Sequence, residues 1–391
     1  MARQVTDPTL TLVQSMARAT EELGLIVEDR EPWRARRTIG GLPLGLLLRV
    51  IGGRAMARVE VSGLPSGIWL KPRRSGALTI DRHELRTGHP GFDAAFTLAG
   101  PPWGAMAPLD AHARTVLLRQ RSLDFRLSSG CLQVELAEAD ARGLVDIARS
   151  LLELAGAIRA GGTIEEQLLE SAKRDPIPAV RERCLKALLE WAETGREARL
   201  EGAALALASS APGLRLLGGR YAPEGWRALA VLAADPAVDV ALRQSAVLTL
   251  PEGAPAAALR RVAEATLLDV DMELRLACAR RLPRWRCTVS GAAEVGLLGL
   301  LERVEEAYLI TVVEALGAAG SPRSVPALSP LADAWFGDRA LKRAATASIA
   351  EIQGRAVHTG EGALSLSSPE EVGAISLSHD AGALSLTVGD D

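Results

Sequence analysis

Cysteine is scarce in this sequence, and its spacing excludes the common metal-binding patterns. The sequence has four cysteines, Cys131, Cys184, Cys278 and Cys287, and they include no CxxC pair. Two of them, Cys184 and Cys278, fall on apolar positions of a helical repeat. We interpret all four as small core residues rather than disulfides or ligands. Neither a GxSxG motif nor a GxxxxGK motif occurs, so the usual signatures of serine hydrolases and phosphate-binding loops are missing. We therefore expect no enzyme activity, no catalytic residue and no cofactor.

Lysine is also rare, and arginine carries nearly all the positive charge. Lysine occurs only at Lys71, Lys173, Lys186 and Lys342, a skew that we attribute to codon bias in a GC-rich bacterial genome. The formal net charge is -3, whereas a protein that binds the phosphate backbone of nucleic acids usually has an excess of basic residues. The composition therefore does not favour nucleic-acid binding.

No uninterrupted apolar run is long enough to span a membrane. The most hydrophobic window, Ile39 to Ile51, is broken by glycines, a proline and Arg49, so we interpret it as a buried strand. The first residues lack the apolar segment of a signal peptide. We expect a cytoplasmic protein that does not insert into membranes.

A short phrase recurs along the second half of the chain. Its copies start about 31 to 34 residues apart, except that the first gap is about twice as long; they begin at Val180, Leu242, Leu274, Tyr308 and Leu341. Positions i, i+4, i+5 and i+8 of each copy are apolar or small and share one face of a helix. The pattern predicts a mainly α protein, with an α-solenoid of helix pairs over residues 162–355.

The first gap in this series should hold a degenerate repeat over residues 196–221. Gly213, Gly218 and Gly219 lie in its second helix. Because glycine weakens helices, we expect a kink or a loop there.

The repeats resemble the HEAT family of armadillo-type folds, including the variety named after phycobilisome lyases. An acid precedes each second helix, and a basic residue often follows its first apolar position. We call the four basic residues the ridge: Arg181, Arg243, Arg275 and Lys342. The resemblance implies a binding surface and does not transfer lyase activity. In this family the basic residue also serves repeat stacking, so the ridge is either a binding surface or a packing device.

The first 161 residues predict an α+β domain with an antiparallel sheet. Short alternating runs separated by glycines indicate strands, and Leu123 to Leu136 forms the clearest hairpin. The phrase from Thr87 to Phe96 resembles that of a bacterial domain of unknown function, with His89 in place of the usual acid. That resemblance implies a fold and no known activity.

Several possible metal ligands lie near this phrase: Asp81, His83, Glu84, His89, Asp93, Asp110 and His112. Their spacing matches no established zinc or manganese pattern. We interpret the segment as an ordinary surface loop and expect no metal.

One basic and aromatic cluster follows a second helix: Arg280, Arg281, Arg284, Trp285 and Arg286. It is suited to an acidic protein partner, or to nucleic acid with the aromatic ring against a base. Positive charge at a helix end also stabilises the helix. We favour the protein partner.

Residues 356–391 form an acidic tail without lysine or arginine, which we expect to be disordered. It contains a GA[LI]SL motif three times, whose alternation places three pairs of apolar residues on one side of a strand: Leu364 and Leu366, Ile375 and Leu377, Leu384 and Leu386. These motifs could add strands to a partner's sheet. The alternative is a tail that only aids solubility.

The sequence as a whole predicts a scaffold or adaptor without enzyme activity, which binds unidentified proteins through the solenoid and the tail motifs. The alternatives are a nucleic-acid-binding protein that uses a basic concave face, and an accessory subunit of a lyase-type enzyme.

Overall fold

The computed structural model describes residues 26–30, 33–39, 42–51, 54–61, 64–73, 84–128, 130–136, 141–158, 162–333 and 338–358, together with residues 14, 17–18 and 21–22. The tail motifs therefore lie outside the described residues. Within the described part, the protein is mainly helical, with sixteen α-helices and one antiparallel sheet. None of the described helices has the length and apolar character needed to cross a bilayer.

The sheet has nine strands in the order β1-β2-β3-β4-β9-β8-β5-β7-β6. The strands are β1 Ile26–Arg30, β2 Trp33–Ile39, β3 Leu42–Ile51, β4 Arg54–Glu60, β5 Trp69–Pro72, β6 Glu84–Leu85, β7 Phe96–Ala99, β8 Phe125–Ser128 and β9 Cys131–Leu136. The predicted hairpin is confirmed: Ser128 pairs with Cys131, and Gly130 takes a positive φ of 74° in the turn between them. The antiparallel sheet predicted from the alternating runs is therefore present.

The chain divides into two compact units, Met1–Ser209 and Ser210–Asp391. Besides the sheet, seven helices of the first unit have both ends within the described residues: α1 Pro90–Ala95, α2 Pro102–Met106, α3 Ala111–Arg119, α4 Ala141–Ile158, α5 Ile164–Arg174, α6 Pro178–Glu190 and α7 Arg196–Leu207. The predicted domain boundaries, after residues 161 and 355, stay predictions. The first of them lies inside this unit.

Helices α5 and α6 pack against α2 in the first unit. Trp103 of α2 stacks on Trp191, which follows α6, with ring centroids 4.8 Å apart and an interplanar angle of 14°. Arg114 of α3 forms an ion pair of 2.5 Å with Asp175, and both side chains are 1% exposed. The first helix pair is therefore joined to the sheet-bearing part by aromatic stacking and by a buried ion pair.

The second unit contains the remaining nine described helices and a short 3-10 helix, Pro322–Ser324. The α-helices are α8 Pro212–Tyr221, α9 Trp226–Ala234, α10 Val240–Thr249, α11 Ala256–Leu267, α12 Met272–Trp285, α13 Gly291–Leu301, α14 Glu306–Ala319, α15 Val325–Asp333 and α16 Arg339–His358. They contact one another in two rows. One row is α9, α11 and α13, and the other is α10, α12, α14 and α16. Each predicted second helix is present in the chain. Within the second unit, the apolar faces of these helices fill one continuous core.

The expected break in the degenerate repeat is wrong, because α8 continues through Gly218 and Gly219 to Tyr221. A Cβ atom on Gly219 would lie 2.8 Å from Cγ of Leu229 in α9. The glycine therefore permits close helix packing, which outweighs the low helix propensity of glycine.

The acids that precede the second helices take part in the turns between paired helices. Asp175, Asp235 and Asp269 each accept a hydrogen bond from the backbone N–H two residues later. They form turns, and the caps of α10 and α12 are Asp239 and Asp271. Glu305 precedes α14 without a side-chain capping bond. The acid thus shapes the turn between paired helices more often than it caps the second helix.

Candidate functional site

The ridge residue Arg243 lies inside the helix array rather than on its surface. It is 3% exposed, its Nε donates to the carbonyl oxygen of Ala233 at 3.2 Å, and its Nη1 lies 2.7 Å from Oδ2 of Asp269. Asp269 belongs to the turn of the following helix pair. Arg243 therefore connects α10 to α9 and to the turn of the next helix pair. This is what we expect if the ridge serves the packing of successive repeats.

Two other ridge residues are also engaged by neighbouring backbone. Arg275 donates from Nη2 to the carbonyl oxygen of Gly296 in α13. Burial and then the nearby charge of Arg303 lower the pKa of Arg275. Arg181 donates to the carbonyl oxygen of Asp175 at 2.7 Å. Lys342 differs, because it is exposed on α16. The four residues share a sequence position but not an environment.

The Arg243 pair gives the stability of the protein a pH dependence with a defined sign. Burial raises the pKa of Asp269, but hydrogen bonds from the Asp271 N–H and the Arg243 guanidinium outweigh burial and lower it overall. A carboxyl with a lowered pKa stabilises the folded state above its unfolded pKa, and this contribution is lost as the pH falls through the folded value.

We expect Asp269→Asn to be less stable than the wild type at pH 7, with a difference that shrinks as the pH falls below about 4. Urea midpoints measured between pH 7 and pH 3 would test this. The matched control is Glu302→Gln at an exposed position. An Asp269→Asn difference that stays constant from pH 7 to pH 3 would contradict the assignment.

The basic and aromatic cluster at the end of α12 is partly neutralised. Arg281 donates to the carbonyl oxygen of Leu250 at 2.8 Å, and Arg281 and Arg284 lie 3.9 Å and 3.8 Å from the carboxylate of Glu252. Trp285 is only 5% exposed, and the guanidinium of Arg281 lies 6.0 Å from its ring centroid. The indole is thus a packing residue, and its face is covered.

The outer part of this cluster carries three exposed guanidinium groups. They belong to Arg280, Arg284 and Arg286. Arg280 lies over the ring of Tyr308, 5.3 Å from its centroid. Arg286 has a left-handed backbone with φ of 48°, which ends α12. These cations can contact an acidic group from outside without disturbing the core.

Sequence reasoning missed an apolar surface at the turn between α11 and α12. We call it the apolar edge: Leu268, Val270, Met272 and Val295. Val270 is 99% exposed and Val295 is 67% exposed. A Cβ atom on Gly296 would lie 2.6 Å from the carbonyl oxygen of Leu267, so α13 approaches the end of α11 and brings Val295 close to this turn. Exposed aliphatic side chains grouped at one turn and the adjoining helix are typical of binding surfaces.

The turn exposes its apolar residues because its polar residues point inward. Asp269 binds Arg243, and Asp271 accepts the N–H of Leu274 at 2.8 Å as the cap of α12. The intervening Val270 then faces solvent. The sequence signal was available as Leu-Asp-Val-Asp-Met over residues 268–272, an alternation of acids and aliphatics in a turn where polar residues usually dominate.

The segment of possible metal ligands is a local hydrogen-bonding motif in its described part. The carboxylate of Asp93 accepts hydrogen bonds from Thr87 and from the N–H of Gly88. Nδ1 of His89 accepts the N–H of Phe92 and caps α1. Asp110 caps α3. Asp81 and His83 lie outside the described residues, and among the described ones no group of three or more His, Cys, Asp or Glu side chains is arranged to hold a metal ion.

The tail motifs, with Leu364, Leu366, Ile375, Leu377, Leu384 and Leu386, lie outside the described residues. No protein-family model matches this chain, and no curated protein does either. The surfaces described above are therefore the basis for a functional proposal.

Proposed function

We propose that this protein is a non-enzymatic scaffold or adaptor that binds other proteins through its helical surface and the motifs of its C-terminal tail. The observation that carries the proposal is the apolar edge. Four aliphatic side chains project from one turn and the adjacent helix. An exposed hydrophobic patch is costly in water unless a partner covers it.

The proposal includes a HEAT-type solenoid for the helix pairs. The two rows of contacting helices support it, and so does the bond from Arg243 to the acid of the following pair at 2.7 Å. Such arrays have extended surfaces built from successive repeats. The apolar edge and the exposed arginines Arg280, Arg284 and Arg286 belong to such a surface.

An acidic protein suits the arginines better than nucleic acid does. The cluster offers no aromatic platform, because Trp285 is buried, and single-strand binding relies on bases stacking on exposed rings. Titration of duplex DNA binding against salt separates the two classes, since phosphate contacts give a steep salt dependence.

Replacing Val270 and Val295 by Asp should abolish partner binding through the apolar edge. Both side chains are exposed, so the free energy of unfolding should change by no more than about 0.5 kcal/mol. The measurement is quantitative co-purification from native lysate with the wild type, with the double variant and with the control Val231→Asp, which is exposed on α9.

Loss of specific partners with the edge variant but not with the control supports the proposal. Equal recovery in all three samples removes the apolar edge as a binding surface. A chain ending at Arg355 tests the contribution of the tail motifs separately, because this truncation leaves the edge intact.

A further inference from the structure

One side of the last described helix, α16, forms a basic face. It consists of Arg339, Lys342, Arg343, Thr346, Ala347 and Ala350, which border an open surface space of about 730 Å³. The spacing of these residues places them on one side of the helix, and all six are exposed. The face therefore combines three cations with small side chains that leave room for an approaching backbone.

The cations of the basic face have no counterion in the described part of the chain, where Arg339, Lys342 and Arg343 form no ion pair. They lie in the first turns of α16, where cations oppose the helix dipole and cost stability. At the other end of α16, Arg355 does pair with Glu351 at 3.3 Å. The positive charge at the start of α16 is therefore stabilised neither by the helix dipole nor by an ion pair within the described residues. This points to an anionic ligand.

The chain carries a complementary segment immediately after α16. Residues 359–391 contain no lysine or arginine, and their acids are Glu361, Glu370, Glu371, Asp380, Asp390 and Asp391. The segment begins where α16 ends at His358. The way back from His358 to Lys342 is about 24 Å along the helix, which an extended chain covers in about eight residues. Glu370 and Glu371 lie beyond that distance along the chain and can therefore reach the face.

We propose that residues 359–391 dock in cis on the basic face of α16, with Glu370 and Glu371 opposite Arg339, Lys342 and Arg343. The acidic residues of the segment are complementary to the cations of the basic face. Because the segment is attached to the same helix, its local concentration at the face is high. The motif over residues 362–366, which lies between His358 and these glutamates in the sequence, then runs along the small residues Thr346, Ala347 and Ala350. This docking does not depend on the proposed function, because it requires no partner protein.

The small number of lysines makes a zero-length cross-linking test possible. A carbodiimide joins a lysine amine to a carboxylate that contacts it, and the sequence has only Lys71, Lys173, Lys186 and Lys342. Lys173 lies 2.6 Å from Glu201, so this pair is an internal positive control. No tryptic site follows Arg355. Mass spectrometry should therefore detect one peptide, residues 356–391, coupled through Lys342.

In the full-length wild type we expect Lys342 to couple to the tail at low salt, and the yield to fall in 0.5 M NaCl, where charges are screened. Arg339→Glu with Arg343→Glu keeps the reporter lysine and should lower the yield about tenfold, because like charges then face the tail. Arg183→Glu with Arg261→Glu makes the same charge change at exposed sites elsewhere and should leave the yield unchanged. Glu370→Gln with Glu371→Gln tests the same contact from the tail, without altering α16.

Three results would overturn the proposal. The first is absence of the Lys342 product in the wild type while the Lys173–Glu201 product forms. The second is an unchanged yield in both the helix variant and the tail variant. The third is a product that joins two molecules in a mixture of ¹⁴N and ¹⁵N protein, which would assign the face to a second copy of the chain.

Discussion

Replacing Arg114 by Ala should lower the free energy of unfolding by about 3 to 5 kcal/mol, the usual cost of removing one partner from a buried ion pair. Its guanidinium donates to the carbonyl oxygen of Leu109 at 2.6 Å and pairs with Asp175 at 2.5 Å. The variant leaves the Asp175 carboxylate, which is 1% exposed, without its cation. The loss of stability therefore comes mainly from burying the Asp175 carboxylate without a cation, and only in part from the contacts that Arg114 loses.

Urea unfolding followed by tryptophan fluorescence would measure this effect, since the Trp103 and Trp191 stack lies in the same unit. The matched control is Arg149→Ala. Arg149 pairs with Glu22 at 2.7 Å, but both side chains are more than half exposed, and surface pairs contribute at most about 1 kcal/mol. If Arg114→Ala and Arg149→Ala shift the midpoint equally, the buried pair does not join the first helix pair to the sheet-bearing part.

The helices could be predicted from the sequence because their burial pattern is local. In α12 the predicted apolar positions Leu274, Cys278, Ala279 and Leu282 are all fully buried. The strands were predictable for the same reason, since alternation with period two and a glycine at the turn identify a hairpin without knowledge of any distant contact.

The environment of each ridge residue could not be predicted, because it depends on neighbouring helices. Arg243 and Lys342 occupy equivalent positions in the repeat. Arg243 meets the acid Asp269 of a following pair, whereas α16 is the last described helix of its row. The ion pair between Arg114 and Asp175 spans 61 residues, and neither local sequence carries a signal of the other. The apolar edge was missed because the repeat pattern identifies buried positions and gives no account of the turns.

Replacing Leu282 by Ala should destabilise the second unit by about 2 to 5 kcal/mol, through lost burial and the cavity that remains. Leu282 is fully buried in α12, and α12 contacts α10, α11, α13 and α14. Because neighbouring helix pairs stabilise one another, the loss should shift the unfolding of the whole unit rather than fray one helix. The control is Leu248→Ala on α10, which is 43% exposed and whose effect should stay below about 1 kcal/mol. Urea melts followed by circular dichroism at 222 nm compare the two variants in the full-length protein. Equal midpoints for Leu282→Ala and Leu248→Ala would place the cooperative core away from the shared apolar face. A lower midpoint for Leu282→Ala alone would show that the shared apolar face of the second helices stabilises the second unit. The apolar edge and the basic face lie on helices that this core holds together.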